Sequence, residues 1–267
     1  MNETSQQLSL INEKGPFDII GDIHGCYDEL SELLGKLGWT PAYRQQTARH
    51  RGNPQSAIRN PQFHRKLVFL GDLVDRGPKV VDVLRLVMDV VEAGNAICLL
   101  GNHDYKLLRK LVGRNVRVAH GLAETLEQLE QEPPRFVARV RDFLAGLATY
   151  HVLDEGRLVV SHAGIKENMI GQWNDRIKSF TIYGDTTGES DEFGLPVRLD
   201  WASSYRGEAL VVYGHTPVPA PRWVNNTINI DTGCIFGGSL TALRYPEREL
   251  VSVPARKVYF ERVGGIR

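Results

Sequence analysis

The chain has 267 residues, with 32 lysines and arginines balanced by 32 aspartates and glutamates, 42% apolar and 24% charged residues, and three cysteines. A zero net charge means that no global field draws the protein to nucleic acid or an anionic membrane, so a nucleic-acid substrate would need a local basic patch. No apolar run approaches the roughly 18–20 residues of a membrane span, the start MNETSQQLSLINEKG lacks a signal-peptide pattern, and Cys26, Cys98 and Cys234 show no CxxC spacing, which together fit a reduced cytoplasmic setting with the cysteines as small buried fillers.

Residues 1–15 read as a polar lead-in, followed by one domain over 16–262. Phe17–Ile20 is a short apolar strand running into GDIHG at Gly21–Gly25, and Cys26–Gly38 is a helix, with Leu30, Leu33, Leu34 and Leu37 at helical spacing. Residues 41–66 form a surface insertion in which Arg44, Arg49, Arg51, Arg59, Arg65 and Lys66 meet no acid; beside a phosphate site such a stretch would steer a polyanion, and elsewhere it is a solvated loop. Leu67–Leu70 is a second buried strand entering GDLVDRG at Gly71–Gly77, Pro78 suits a first helical turn, and an amphipathic helix follows to Gly94. Ala96–Leu100 feeds GNHD at Gly101–Asp104. This alternation of strand, turn, helix and strand is the grammar of a layered α/β protein.

Residues 105–147 are helical apart from a Pro133–Pro134 break and read as a cap inserted between the polar turns, a place for substrate selection. Tyr150–Leu153 and Arg157–Ser161 make a strand pair that delivers His162. Residues 166–208 are aperiodic and read as loops and short elements over the site; Ala209–Tyr213 feeds GHTP at Gly214–Pro217, and the remaining segment is β-rich.

Asp22, His24, Asp72, Asn102, His162 and His215 each lie just beyond an apolar strand. In sheet-based α/β folds the functional crevice lies outside the carboxyl ends of the strands, so these six can converge. Carboxylate, amide and imidazole ligands suit Mn²⁺, Fe or Zn²⁺ better than Ca²⁺ or a thiolate zinc site, and six are too many for one ion and right for two that share a carboxylate. A lone His–Asp pair is usually a surface accident; four such turns, each preceded by a strand, are not. His50, His64, His120 and His151 sit in no such turn and read as ordinary histidines, and Trp39, Trp173, Trp201 and Trp223 read as core or rim residues rather than base-stacking ones.

The four turns resemble the calcineurin-like metallophosphoesterase superfamily, in the branch shared by Ser/Thr protein phosphatases and diadenosine tetraphosphatases. The stretches FDIIGDIHGCYDEL, KLVFLGDLVDRGPKVVDVLRLVM, YGDTTGESDEFGLPVRLDWASSYRGEALVVYGHTPV and WVNNTINIDTGCIFGGSLTALRYPE extend the resemblance over roughly residues 16–260, to the phosphatase module of bacterial polynucleotide kinase-phosphatase, an RNA-repair enzyme. The resemblance implies a two-sheet α/β sandwich flanked by helices and two divalent ions, Mn²⁺ first, with Ni²⁺, Fe or Zn²⁺ compatible. Asp22, His24 and Asp72 would hold one ion, with Asp72 bridging, and Asn102, His162 and His215 the other. Arg76 would grip a phosphate oxygen, His103 would protonate the leaving oxygen, and Asp75 would orient it. Asp231 matches an essential acid of the repair branch, and Arg206 is a candidate second phosphate clamp.

The implied activity is phosphomonoesterase and phosphodiesterase action on nucleotide or RNA-end phosphates, 2′,3′-cyclic ends included, by in-line attack of an activated water. A symmetrical diadenosine tetraphosphatase and a Ser/Thr protein phosphatase are the alternatives within this chemistry, and a binding scaffold without activity the alternative outside it; a general acid with its orienting partner argues against the scaffold. The sequence carries no GxxxxGK[ST] loop and no ligase lysine motif, so it reads either as a free-standing relative, with kinase and ligase repair modules acting in trans, or as an excised domain.

Overall fold

The computed structural model describes residues 13–39, 65–192 and 196–261. The basic stretch therefore falls outside the described residues except for Arg65 and Lys66, and so does the lead-in before Glu13.

Two five-stranded sheets form the centre. The first has the order β12 (Glu249–Pro254), β11 (Ser239–Tyr245), β1 (Phe17–Ile20), β2 (Lys66–Phe69) and β3 (Ala96–Cys98); the second has β4 (Tyr150–Leu153), β5 (Leu158–Ser161), β8 (Leu210–Tyr213), β10 (Thr227–Asn229) and β9 (Arg222–Val224). In each sheet three adjacent strands run parallel: β1, β2 and β3 in one, β5, β8 and β10 in the other, with antiparallel strands at the margins.

Side-chain alternation assigns the layers. Phe17, Ile19, Val68 and Leu70 point inward and meet Leu158, Val160, Val212 and Ile228 of the other sheet in one buried cluster. Ile20, Leu67 and Phe69 point outward and are covered by α1 (Tyr27–Lys36) and α2 (Val80–Glu92), whose apolar stripes include Leu30, Leu33, Val83 and Val87. On the far side, Val159, Val211 and Tyr213 are covered by α6 (Asp175–Tyr183) and the short α7 (Trp201–Ser204). The result is a helix–sheet–sheet–helix sandwich, the fold class expected from the sequence.

Two segments gain detail in the structure. In the helices α3 (Asn102–Leu111), α4 (Leu122–Glu130) and α5 (Pro134–Gly146), Leu107, Leu122, Phe136 and Val140 join the cluster under α2, so these helices extend the outer layer, while the first turns of α3 and α4 and the link between them reach the site. The aperiodic stretch 166–208 contains α6, α7 and a two-stranded hairpin, β6 (Thr186–Ser190) with β7 (Pro196–Arg198). Cys26, Cys98 and Cys234 are buried free thiols. Trp39 and Trp201 are buried, whereas Trp223 on the edge strand β9 is exposed.

The early part of β1 carries a fully buried carboxylate, Asp18. Its oxygens accept from Trp39 Nε1 at 2.8 Å and from Arg65 Nε at 2.9 Å, and Arg65 also bonds Glu247 at 2.8 Å. Breaking such a pair strands a buried charge, so Asp18→Ala is expected to cost about 3 kcal/mol in urea unfolding. The hydrogen bond from Arg65 holds the Glu247 carboxyl down at about 2 against 4.5 for the ordinary group. A depressed acid contributes stability that is full above its unfolded value and lost as pH falls through the folded one. The Tm difference between wild type and Glu247→Gln should therefore be largest above pH 4.5 and close as the pH approaches 2.

Candidate metal centre and active site

All six parallel strands end at the same rim, and their following turns carry the polar residues picked out in the sequence. These turns are tight. His24, Asp72, Asp75, Arg76, His120 and His215 have left-handed φ values between 46° and 70°, six of the ten non-glycine residues of that kind among the described residues. Such backbone costs on the order of 1–3 kcal/mol per residue and persists where the surroundings fix it. Packing around the turns is equally close: a Cβ at Gly101 would overlap Asp72 Oδ1, and one at Gly214 would overlap Asp22 Oδ1. Asp104 then locks two turns together, accepting from Leu73 N and Gly101 N, both at 3.0 Å.

The ligand atoms converge in two groups that share Asp72. On one side His24 Nδ1 donates to Val74 O at 2.8 Å, which leaves Nε2 as a lone pair 3.4 Å from Asp72 Oδ2. On the other side His162 Nδ1 donates to Leu70 O at 3.0 Å, and its Nε2 lies 3.0 Å from Asn102 Oδ1, 3.1 Å from His215 Nδ1 and 3.5 Å from Asp72 Oδ1. His215 Nδ1 is also 2.7 Å from Asn102 Oδ1. Asp22 is buried behind them, its carboxylate accepting from His215 N at 3.1 Å, and Asp231 stands close enough to add to its charge.

The electrostatics match a cation site. Burial first, then Asp231 and Asp72, raises the Asp22 carboxyl well above the usual range, and burial pushes Asp72 up to about 7 and Asp104 to about 8. Burial, followed by neighbouring cations, keeps His24, His103 and His215 well below the usual imidazole value, and burial holds His162 down to about 3. The arginine whose charge reaches His162 is Arg198, whereas Arg76 is the arginine acting on His24 and His103. Neutral imidazoles, an amide oxygen and clustered carboxylates directed at shared volumes are the donor set of hard-to-borderline divalent ions. The residues present therefore fit two ions, one beside His24 and Asp72 and one beside Asp72, Asn102, His162 and His215. A third group, Cys26, Glu29 and Cys234, lies behind α1, but contact with Cys234 and burial push the Cys26 thiol far up, away from the ionised form a metal takes.

Around this centre sit the groups suited to phosphate chemistry. His103 Nδ1 donates to Asp75 Oδ2 at 2.6 Å, which fixes its tautomer and turns Nε2 to the cavity. Asp75 is itself held by Thr125 Oγ1 at 2.9 Å and Lys106 Nζ at 3.0 Å. Arg76 packs its guanidinium against Phe236 and Phe260, 5.3 and 5.7 Å from the ring centres. Its Nη1 reaches His24 Nε2 at 3.0 Å, while its buried Nε has no hydrogen-bond acceptor, a donor suited to an oxyanion.

Arg206 does not reach the centre: its Nη1 donates to Ser203 O and Tyr205 O, beside α7. The second arginine lining the cavity of about 220 Å³ is Arg198, from the hairpin, and His120, from the α3–α4 link, lines it as well. Neither carries a sequence signal. Lys106 does: it lies one turn after His103 on α3, on the same helix face.

The calcineurin-like phosphoesterase profile matches residues 15–219. The chain belongs to the calcineurin-like phosphoesterase family. It is a hydrolase of phosphate esters with a centre able to bind metal. An asymmetrical bis(5′-nucleosyl)-tetraphosphatase PrpE of Anoxybacillus flavithermus is 48% identical over 247 residues, 91% of this chain and 96% of that protein. The protein of the same name from Geobacillus thermodenitrificans is 48% identical over 242 residues, 89% and 94% of the two chains. A crystal structure described as a putative diadenosine tetraphosphatase superposes with TM-score 0.64 at 28% identity, covering 93% of this chain and 97% of that one. The narrower likeness to a polynucleotide kinase-phosphatase gives way here, since relatives at this identity and coverage bear tetraphosphatase names. Among the described residues no helix is long and apolar enough to cross a membrane.

Removing a shared or second-group ligand should empty the centre. His162→Ala and Asp72→Ala are each expected to lower kcat/KM for a phosphate ester on the order of a thousandfold, and calorimetric titration with Mn²⁺ should show fewer bound ions; near-wild-type turnover at saturating metal would refute the ligand assignment.

Proposed function

We propose that the protein hydrolyses dinucleoside polyphosphates, cutting a bis(5′-nucleosyl) tetraphosphate asymmetrically into a nucleoside triphosphate and a nucleoside monophosphate. The observation that carries this reading is the 48% identity to an asymmetrical bis(5′-nucleosyl)-tetraphosphatase over nearly the full length of both chains. The phosphate-directed groups support it. The reading departs from the RNA-end substrate implied by the sequence resemblance and takes up its tetraphosphatase alternative, in the asymmetrical rather than the symmetrical form.

Two Mn²⁺ ions held by Asp22, His24, Asp72, Asn102, His162 and His215 would supply water activation and charge neutralisation. The side chains do the rest. Arg76 offers its unpartnered Nε to a phosphate oxygen, where a fixed guanidinium replaces reorganising water. His103, held through Nδ1 by Asp75, presents Nε2 to the leaving oxygen, where only its imidazolium form, balanced by the Asp75 carboxylate, carries the proton to be delivered. Thr125 and Lys106 keep Asp75 in place, so the proton donor has one orientation before substrate arrives. Phe236 and Phe260 exclude water from the Arg76 side of the reaction.

Incubation of the Mn²⁺-loaded protein with diadenosine tetraphosphate, followed by anion-exchange chromatography, should yield ATP and AMP in equal amounts. Two equivalents of ADP would make it symmetrical. Faster turnover of RNA with 2′,3′-cyclic ends than of the tetraphosphate would overturn the substrate reading.

A further inference from the structure

We propose that Arg198 forms a second anion subsite, which holds the phosphates next to the one being attacked and so makes the site select an extended polyphosphate chain. This rests on the dinucleoside polyphosphate reading above and names the part of the site that would enforce it.

Arg198 closes β7, and β7 pairs with β6 in the hairpin that forms one wall of the cavity. Its Nη1 donates to Tyr183 O, the last residue of α6, at 2.7 Å, which sets the plane of the guanidinium against a packed helix end. The two arginines of the cavity stand at different places along the ligand row. Arg76 lies against His24, at 3.0 Å, and the His24 ring stacks edge-on with His103 at 4.8 Å. Arg198 belongs to the other end: its Nη1 and the carbonyl of Ala163, the residue after His162, flank Gly184 at 3.5 and 3.6 Å from the Cβ position there, and His162 and His215 face Asn102.

A terminal monoester presents one phosphate to the centre, and one guanidinium completes its binding. A polyphosphate presents several charges in a row. Cations on both sides of the metal-binding groups match that row, with the planar donor fork suited to phosphate oxygens. The arrangement is also unequal. A chain lying across the cavity meets a proton donor, His103, on the Arg76 side and a cation on the Arg198 side. A substrate with two equivalent halves would thus meet different surroundings on its two arms, and unequal cleavage requires such a difference.

The test compares wild type, Arg198→Gln and Arg198→Lys, each Mn²⁺-loaded and with matching thermal melts, on diadenosine tetraphosphate and on p-nitrophenyl phosphate. Loss of a charge-assisted contact predicts a KM for the tetraphosphate raised roughly tenfold to a hundredfold in Arg198→Gln, with kcat changed much less. The effect on p-nitrophenyl phosphate should be at least about tenfold smaller, and Arg198→Lys should recover part of the loss, because a point charge replaces the fork. Equal losses on both substrates would mean that Arg198 only supports the hairpin through Tyr183, and no loss on either would remove it from binding; both outcomes overturn the proposal. If wild type hydrolyses p-nitrophenyl phosphate but not the tetraphosphate, the substrate reading fails instead. Inhibition of p-nitrophenyl phosphate hydrolysis by inorganic tripolyphosphate, in excess metal, still decides the subsite: its Ki should rise in Arg198→Gln by much more than that of inorganic phosphate, and a matching rise for the two would refute it.

Discussion

His162 Nε2, Asn102 Oδ1 and the Asp72 carboxylate point at one volume from three strand ends, and each brings lone pairs. The proton that could have gone to His162 Nε2 is fixed on Nδ1 by Leu70 O. Acceptors held this close in a buried setting repel one another, and burial raises the carboxyls of Asp22, Asp72 and Asp104 among them. The fold tolerates this because two sheets press from opposite sides and because Asp104 ties the Asp72 turn to the Asn102 turn. Cations would answer this repulsion, and the left-handed turns and the closely packed glycines shape the volume that would hold them.

Much of this was legible in the sequence because the parallel strands are short apolar runs that stop at glycine. A run such as Phe17–Ile20 followed by Gly21 and two ligand-type residues fixes strand, turn and chemistry together. Five of the six ligands lie on turns and Asn102 opens α3 at the end of its turn, so their order along the chain follows the order of the strands. Helix periodicity placed α1 and α2 within a few residues.

What was not legible has physical reasons. Arg198 and Arg206 lie eight residues apart in a stretch without periodicity, and no local signal tells which faces the centre; the hairpin turns one toward it, while α7 leaves the other bonded to its own carbonyls. His120 reaches the cavity through a left-handed backbone at the end of an irregular link, a geometry that side-chain pattern does not report. The helices after Asn102 looked like an insertion because their own periodicity is complete; their apolar faces belong to the core under α2, and only tertiary packing reveals that. The substrate is a still finer matter. The metal-binding turns serve any phosphate ester, so the choice among esters rests on the walls.

Asp18 lies toward the opposite end of β1 from Asp22. Trp39, the last described residue before the stretch 40–64, and Arg65, the first after it, both hydrogen-bond this one carboxylate. Residues 39 and 65 are thus joined at a single buried staple. The ends are already brought together by native contacts, and the entropy of closing a loop between fixed ends grows only slowly with its length. The length of chain between residues 39 and 65 therefore bears only weakly on the stability of the sandwich, because Asp18 already joins the two flanking residues at the end of β1 away from the metal-binding rim.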